Sequence, residues 1–140
     1  MSYSKADQTK KVKIKRVVVK SVAQLKKDVQ KYVNKYVRLR DRDLKCISCE
    51  KNPVEHCGHY IACGSSGLLR YDEKNLNGQC QNCNVWQHGN LIGYRIGLVK
   101  KYGEEAVKDL EDRRFDVKQW KREELEELLQ ETKNKIKELE

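Results

Sequence analysis

The chain has one proline, one phenylalanine and one methionine in 140 residues. It also lacks long apolar runs. The longest, such as Val17–Val19, are three or four residues, and a membrane-spanning helix needs about 20. No membrane partner is expected. The N-terminus is basic but carries no apolar segment, so no secretory signal is read there. Apolar residues reach only 38%, which implies a modest core. The length fits one domain. Without an export signal, six cysteines point to thiolates or a metal and away from disulfides.

Charge, by contrast, is abundant and uneven. Thirty Lys and Arg against twenty-one Asp and Glu give +9. Residues 1–50 hold fifteen basic and five acidic residues, net +10, residues 51–100 are net +2, and residues 101–140 are net −3. Residues 1–20 read as a basic arm, extended over Lys11–Lys20, with Lys11, Lys13, Lys15 and Arg16 at its centre. Such a segment suits a polyanion, most often nucleic acid. The simpler alternative is a solvated tail.

Residues 21–140 form the expected domain. Ser21 and Gln24 have capping-box spacing. They open a run with Val22, Leu25, Val29, Tyr32, Val33, Tyr36 and Leu39 at helical steps. The spacing predicts a helix over 21–44, ending near Asp43. Lys27, Lys31, Lys35 and Arg38 occupy its other face, either solvated or laid along a phosphate backbone. Residues 45–92 hold every cysteine, every histidine and the proline, and read as loops and short strands such as Leu68–Tyr71. Residues 93–140 complete the C-terminal helical region. A helical pattern starts at Leu91 and runs through Ile92, Ile96 and Val99 to Gly103. A short helix over Glu104–Asp112 and a last one from about Lys118 follow. Leu125, Leu129, Thr132, Ile136 and Leu139 make a heptad-like seam. It can pack on the parent domain or on a second copy.

Cys46-Ile-Ser-Cys49 and Cys80-Gln-Asn-Cys83 are two CxxC pairs thirty residues apart. Each lets two sulfurs face one ion, and together they complete the tetrahedral four-thiolate shell that structural Zn2+ prefers. A redox CxxC or an iron–sulfur cluster is the weaker reading. Cys57 and Cys63 are left over as spare thiols. Gly64-Ser-Ser-Gly67 lacks the Lys and following helix of a P-loop. Trp86 and Trp120 read as packing residues, although Trp86 could stack on an unpaired base.

Gly58-His59-Tyr60, Asn75 and Cys80-x-x-Cys83-Asn84 occur in an order that resembles the HNH (ββα-metal) nucleases. With Arg40-Asp41-Arg42-Asp43-Leu44, Leu69-Arg70-Tyr71 and Gly89-Asn90-Leu91-x-x-Tyr94-Arg95, the chain resembles more closely the phage lambda-type NinG/Rap recombination endonucleases. The resemblance covers about residues 21–130.

It implies an α+β fold with a small treble-clef/ββα-metal zinc centre flanked by N- and C-terminal helices. It also implies metal-dependent cleavage of branched DNA, such as Holliday junctions and D-loops, in the cytoplasm of a bacterial host. The products would carry 5′-phosphate and 3′-hydroxyl ends. His59 would be the base. Asn84 would be a ligand of a catalytic Mg2+ or Mn2+. Asn75 would orient His59 or its loop, and Arg70 would clamp a phosphate. Many HNH sites place an Asp just before the histidine. Here that residue is Gly58, so the ion needs another ligand, His88 or His56. His88 lies four residues after Asn84, which on a helix would put both on one side. The simpler readings are a core or zinc-bound His59, a capping Asn84 and an exposed His88.

Resolving a junction takes two symmetric nicks, so a homodimer is expected. The competing classes are a non-catalytic zinc-stabilised DNA-binding protein and a structural adaptor built on the C-terminal seam.

Overall fold

A computed structural model describes residues 19–64 and 67–140. The arm residues Lys11, Lys13, Lys15 and Arg16 lie outside the described residues. The elements in chain order are α1 (Val22–Arg40), β1 (His56–His59), β2 (Leu76–Gln79), a short π-helical turn (Asn82–Trp86), α2 (Leu91–Tyr102), α3 (Glu104–Asp112) and α4 (Arg122–Leu139). This is an α+β arrangement with one small antiparallel sheet.

The start of α1 follows from its cap. Ser21 is extended and its hydroxyl accepts the Gln24 amide at 3.1 Å. The Gln24 side chain turns instead to Asp28, so only half of the capping box forms. The helix stops at Arg40, earlier than expected, because Asp41 turns inward. Its carboxylate accepts the Gly78 backbone N–H at 2.9 Å.

Leu25, Val29, Val33 and Val37 form the buried stripe of α1. They pack with Tyr71, Leu76 and Leu125. The C-terminal seam is therefore used within the chain: α4 buries Leu125, Thr132 and Ile136, and α4 packs along α1. α4 starts at Arg122, not Lys118, where the Glu124 carboxylate accepts the Lys121 backbone N–H at 3.2 Å.

A second core joins Ile61, Leu69, Tyr94, Leu98, Val107 and Leu110. Here α2 departs from the expected pattern. It buries Tyr94, Gly97 and Leu98, while Leu91, Ile92 and Ile96 are exposed. Gly97 explains the choice of face: a Cβ there would lie 2.0 Å from the Ile47 carbonyl oxygen. The helix packs directly on the backbone of the first CxxC turn.

The strands are not where composition suggests. Leu68–Tyr71 is a turn. The hairpin instead pairs His56 with Gln79, Cys57 with Gly78, Gly58 with Asn77 and His59 with Leu76. Asn75, Asn77 and Gln79 are fully buried. Such burial calls for polar partners: Asn75 has Ile61, Asn77 has Tyr94 and Lys101, and Gln79 Nε2 has Ser48, while Gln79 Oε1 is buried without a hydrogen-bond partner among the described residues.

Candidate functional site

The four cysteines of the two CxxC pairs converge. Cys46, Cys49, Cys80 and Cys83 place their sulfurs within 4.8 Å of one another, and the Cys49 and Cys80 sulfurs are 3.9 Å apart. Four thiolates about 2.3 Å from one Zn2+ would stand at nearly this spacing.

The surroundings fit the same ion. The Cys80 sulfur accepts hydrogen bonds from the Asn52 amide and from the Cys83 backbone N–H, and the Cys83 sulfur accepts one from Asn90. Such donors hold thiolate ligands in place. Burial pushes the Cys46 thiol up and the Cys83 thiol up to about 12. At Cys80 burial acts the same way, but the N–H donors outweigh it and bring the thiol down to about 7. The cluster can hold a structural metal such as zinc. Asn52 and Asn90 were not legible from spacing. Asn90 also adopts a left-handed backbone, φ +40, which asparagine tolerates better than most residues.

Above this staple the structure joins two predicted residues 28 positions apart. The Asn84 Nδ2–H donates to His56 Nδ1 at 3.1 Å. Asn84 sits in the π-helical turn, where the Gln87 amide donates to the Asn82 carbonyl five residues back at 2.9 Å. The wider turn ends at Trp86, so no helix continues to His88. His88 is exposed with φ +50, and the expectation that it shares a helix face with Asn84 does not hold.

His59 ends β1. Successive strand residues point to opposite faces, so Cys57 and His59 face α1, while His56 and Gly58 face the side of the π turn and α2. The His59 Nε2–H donates to the Arg70 carbonyl at 3.2 Å, which leaves Nδ1 as the basic nitrogen. Burial, and secondarily the Arg70 charge, hold this imidazole below its ordinary value, the Arg70 carbonyl pulling the other way. It is therefore neutral at pH 7.

Asn75 does not hydrogen-bond His59. Its side chain clamps the loop: Oδ1 accepts the Ile61 N–H, and Nδ2 donates to the carbonyls of Ile61 and Leu69. Arg70 lies 5.8 Å over the Tyr71 ring. Its buried Nε is without a hydrogen-bond partner among the described residues.

Gly58 has a neighbour that sequence reasoning missed. A Cβ at Gly58 would meet the Gln79 Oε1 at 1.7 Å, so the Gln79 amide fills the space a side chain at 58 would take. Gln79 Nε2 donates to Ser48 Oγ and to the Gly89 carbonyl at 2.7 and 2.8 Å. It ties the hairpin to the first CxxC turn and to the bend after the π turn. Similarly, Asp41 gathers Arg40 and Lys101, and Lys101 also reaches Asn77.

Lys27, Lys31, Lys35 and Arg38 are exposed along the outer side of α1. Lys35 pairs with Glu140 at 3.2 Å. Among the described residues, no helix is long and apolar enough to cross a membrane.

The fold and site define a class: small α+β proteins in which a cluster of four cysteines staples a histidine-bearing hairpin to a short helical turn. The chain belongs to the family described as Bacteriophage Lambda NinG protein, which matches residues 2–140. It is 36% identical over 131 residues to "Protein ninG" of Escherichia phage lambda, covering 92% of this chain and 64% of that protein. It is 37% identical over 133 residues to "Protein ninG" of Salmonella phage P22, with the same two coverages. It is 40% identical over 103 residues to "Protein ninG" of Escherichia phage 933W, covering 72% of this chain and 51% of that protein. The chain thus spans between half and two thirds of the length of these relatives. No solved structure matches.

Proposed function

We propose that this chain is a structure-specific endonuclease that cuts branched DNA during phage recombination, in the cytoplasm of the bacterial host. The observation that carries the proposal is the His56–Asn84 pair, 3.1 Å apart across 28 residues of chain and braced by the four-cysteine staple. The Asn84 Nδ2–H donates to His56 Nδ1; with the amide turned over its oxygen would stand beside that nitrogen, and an imidazole nitrogen with an amide oxygen suits a divalent cation. The mixed set favours Mn2+ over Mg2+. In this reading the hairpin and π turn form a ββα-metal, treble-clef-like centre.

When bound, the ion supplies charge stabilisation at the scissile phosphate and the leaving oxygen. His56 Nδ1 and the Asn84 carbonyl oxygen would hold it. His59, neutral and with its basic lone pair on Nδ1, takes a proton from water. Asn75 fixes the loop carrying His59 and Arg70. The arm and the exposed Lys27, Lys31, Lys35 and Arg38 of α1 hold the phosphate backbone, and a homodimer delivers paired nicks. The α4 seam is not its interface, because α1 already covers that seam.

One observation favours a second reading, a non-catalytic DNA-binding protein: the pleat sends His59 to the opposite face of the hairpin from the His56–Asn84 pair. A synthetic four-way junction with Mn2+ or Mg2+ separates the two. Wild type should nick the junction. His56→Ala, Asn84→Ala and His59→Ala should each lose about a hundredfold or more in rate while still binding. Binding without divalent-dependent nicking by wild type would establish the second reading.

A further inference from the structure

An open groove of about 460 Å3 lies between the Leu68–Tyr71 turn and α4. Its floor is apolar, made by Leu68, Tyr71, Trp120 and Leu128. Its rim is acidic: Glu124, Glu127 and Glu131 follow one another along α4 at steps of three and four, which puts them on one helix face. Asp72 and Arg113 also line it and pair with each other, Arg113 pairing with Asp109 as well.

One lysine already uses the near end. Lys118 sits 4.5 Å over the Trp120 ring and 2.7 Å from Glu124. Glu127 and Glu131, one and two turns further on, are exposed and make no salt bridge among the described residues.

The chain ahead of α1 meets the same end of α4 as the groove. The Arg122 guanidinium donates to the Lys20 carbonyl, so the arm meets the domain at the first residue of α4. Ahead of Lys20 runs Lys11-Val-Lys-Ile-Lys15. In an extended chain this alternation puts the lysines on one side and Val12 and Ile14 on the other. That pattern matches an apolar floor with an acidic rim. The length allows it: Lys11 to Lys20 spans about 31 Å extended, against about 14 Å of rise and half a turn round α4 from Arg122 to Glu131.

We propose that the groove is the docking site of the chain's own N-terminal arm, residues 11–16, with Val12 and Ile14 on the floor and the lysines against Glu127 and Glu131. DNA phosphates then compete with these carboxylates for the same lysines. This competition, though not the contact itself, rests on the DNA-binding part of the proposed function.

The test uses the full chain. Zero-length carbodiimide coupling followed by peptide mass spectrometry should give intramolecular links from Lys11, Lys13 or Lys15 to Glu127 or Glu131. Salt at 0.5 M should suppress them, as should excess linear duplex. Glu127→Gln with Glu131→Gln should abolish the links and tighten linear-duplex binding roughly two- to tenfold, the strength of two exposed ion pairs. Arm links falling mainly on other carboxylates, or forming only between chains, overturn the proposal. Links present in wild type with no DNA binding at any salt would leave the contact standing and remove the DNA-binding reading instead.

Discussion

Asp41 ends α1 with its carboxylate turned into the protein, 2% exposed. Arg40, Lys101 and the Gly78 N–H surround it, and Tyr102 closes the same pocket through its contact with Asn77. Burial alone would raise its pKa, but these partners outweigh burial and hold the carboxyl below its ordinary 3.8. A depressed carboxyl contributes stability that is present above the unfolded value and lost as pH falls through the folded one. Asp41→Asn should cost about 3–5 kcal/mol at pH 7, because Arg40 and Lys101 lose a buried partner. It should also remove part of the acid sensitivity below about pH 4. Urea midpoints of wild type and variant between pH 7 and pH 3 check both, the gap narrowing toward low pH.

At the scale of elements, α1 and α4 depend on each other. Leu125 is fully buried in their contact, and Leu125→Ala should destabilise the fold by about 2–5 kcal/mol in chemical denaturation. These helices were the legible part of the fold. Ser21 marks the start of α1, the Leu–Val stripe marks its face, and Glu104–Asp112 is read with the bounds it has. The hairpin was not legible. His56–His59 and Leu76–Gln79 contain no β-branched or aromatic residue, the usual strand signal. The more apolar Leu68–Tyr71 drew the assignment instead. The buried face of α2 was hidden for a related reason, since Gly97 carries no hydrophobic signal and is chosen for close approach. In the candidate site, regular spacing exposed the four cysteines. The contact of His56 with Asn84 depends on three-dimensional closure, and the five-residue hydrogen bond of the π turn has no sequence signature.

For the whole molecule, two apolar cores of modest size are accompanied by a third, separate cluster made of the four cysteines. A structural zinc bound by four thiolates contributes on the order of 10 kcal/mol to folding, comparable with the entire stability of a typical domain. Removing metal with a strong chelator should therefore unfold the region around the hairpin and α2, seen as a large fall in Tm. One equivalent of Zn2+ should restore it with release of protons. The net acidic α4 lies along the basic α1, whose Lys27, Lys31, Lys35 and Arg38 are exposed on its outer side.

The Asn75 clamp bears on how this fold can change over time. One side chain fastens the chain on both sides of the loop, at Ile61 and at Leu69, and the cysteines fasten it again further out. Residues inserted between those two carbonyls leave the hairpin register and the His56–Asn84 spacing untouched. The stretch from Ile61 to Leu69 is therefore where this architecture can gain length, or a new specificity, without being rebuilt.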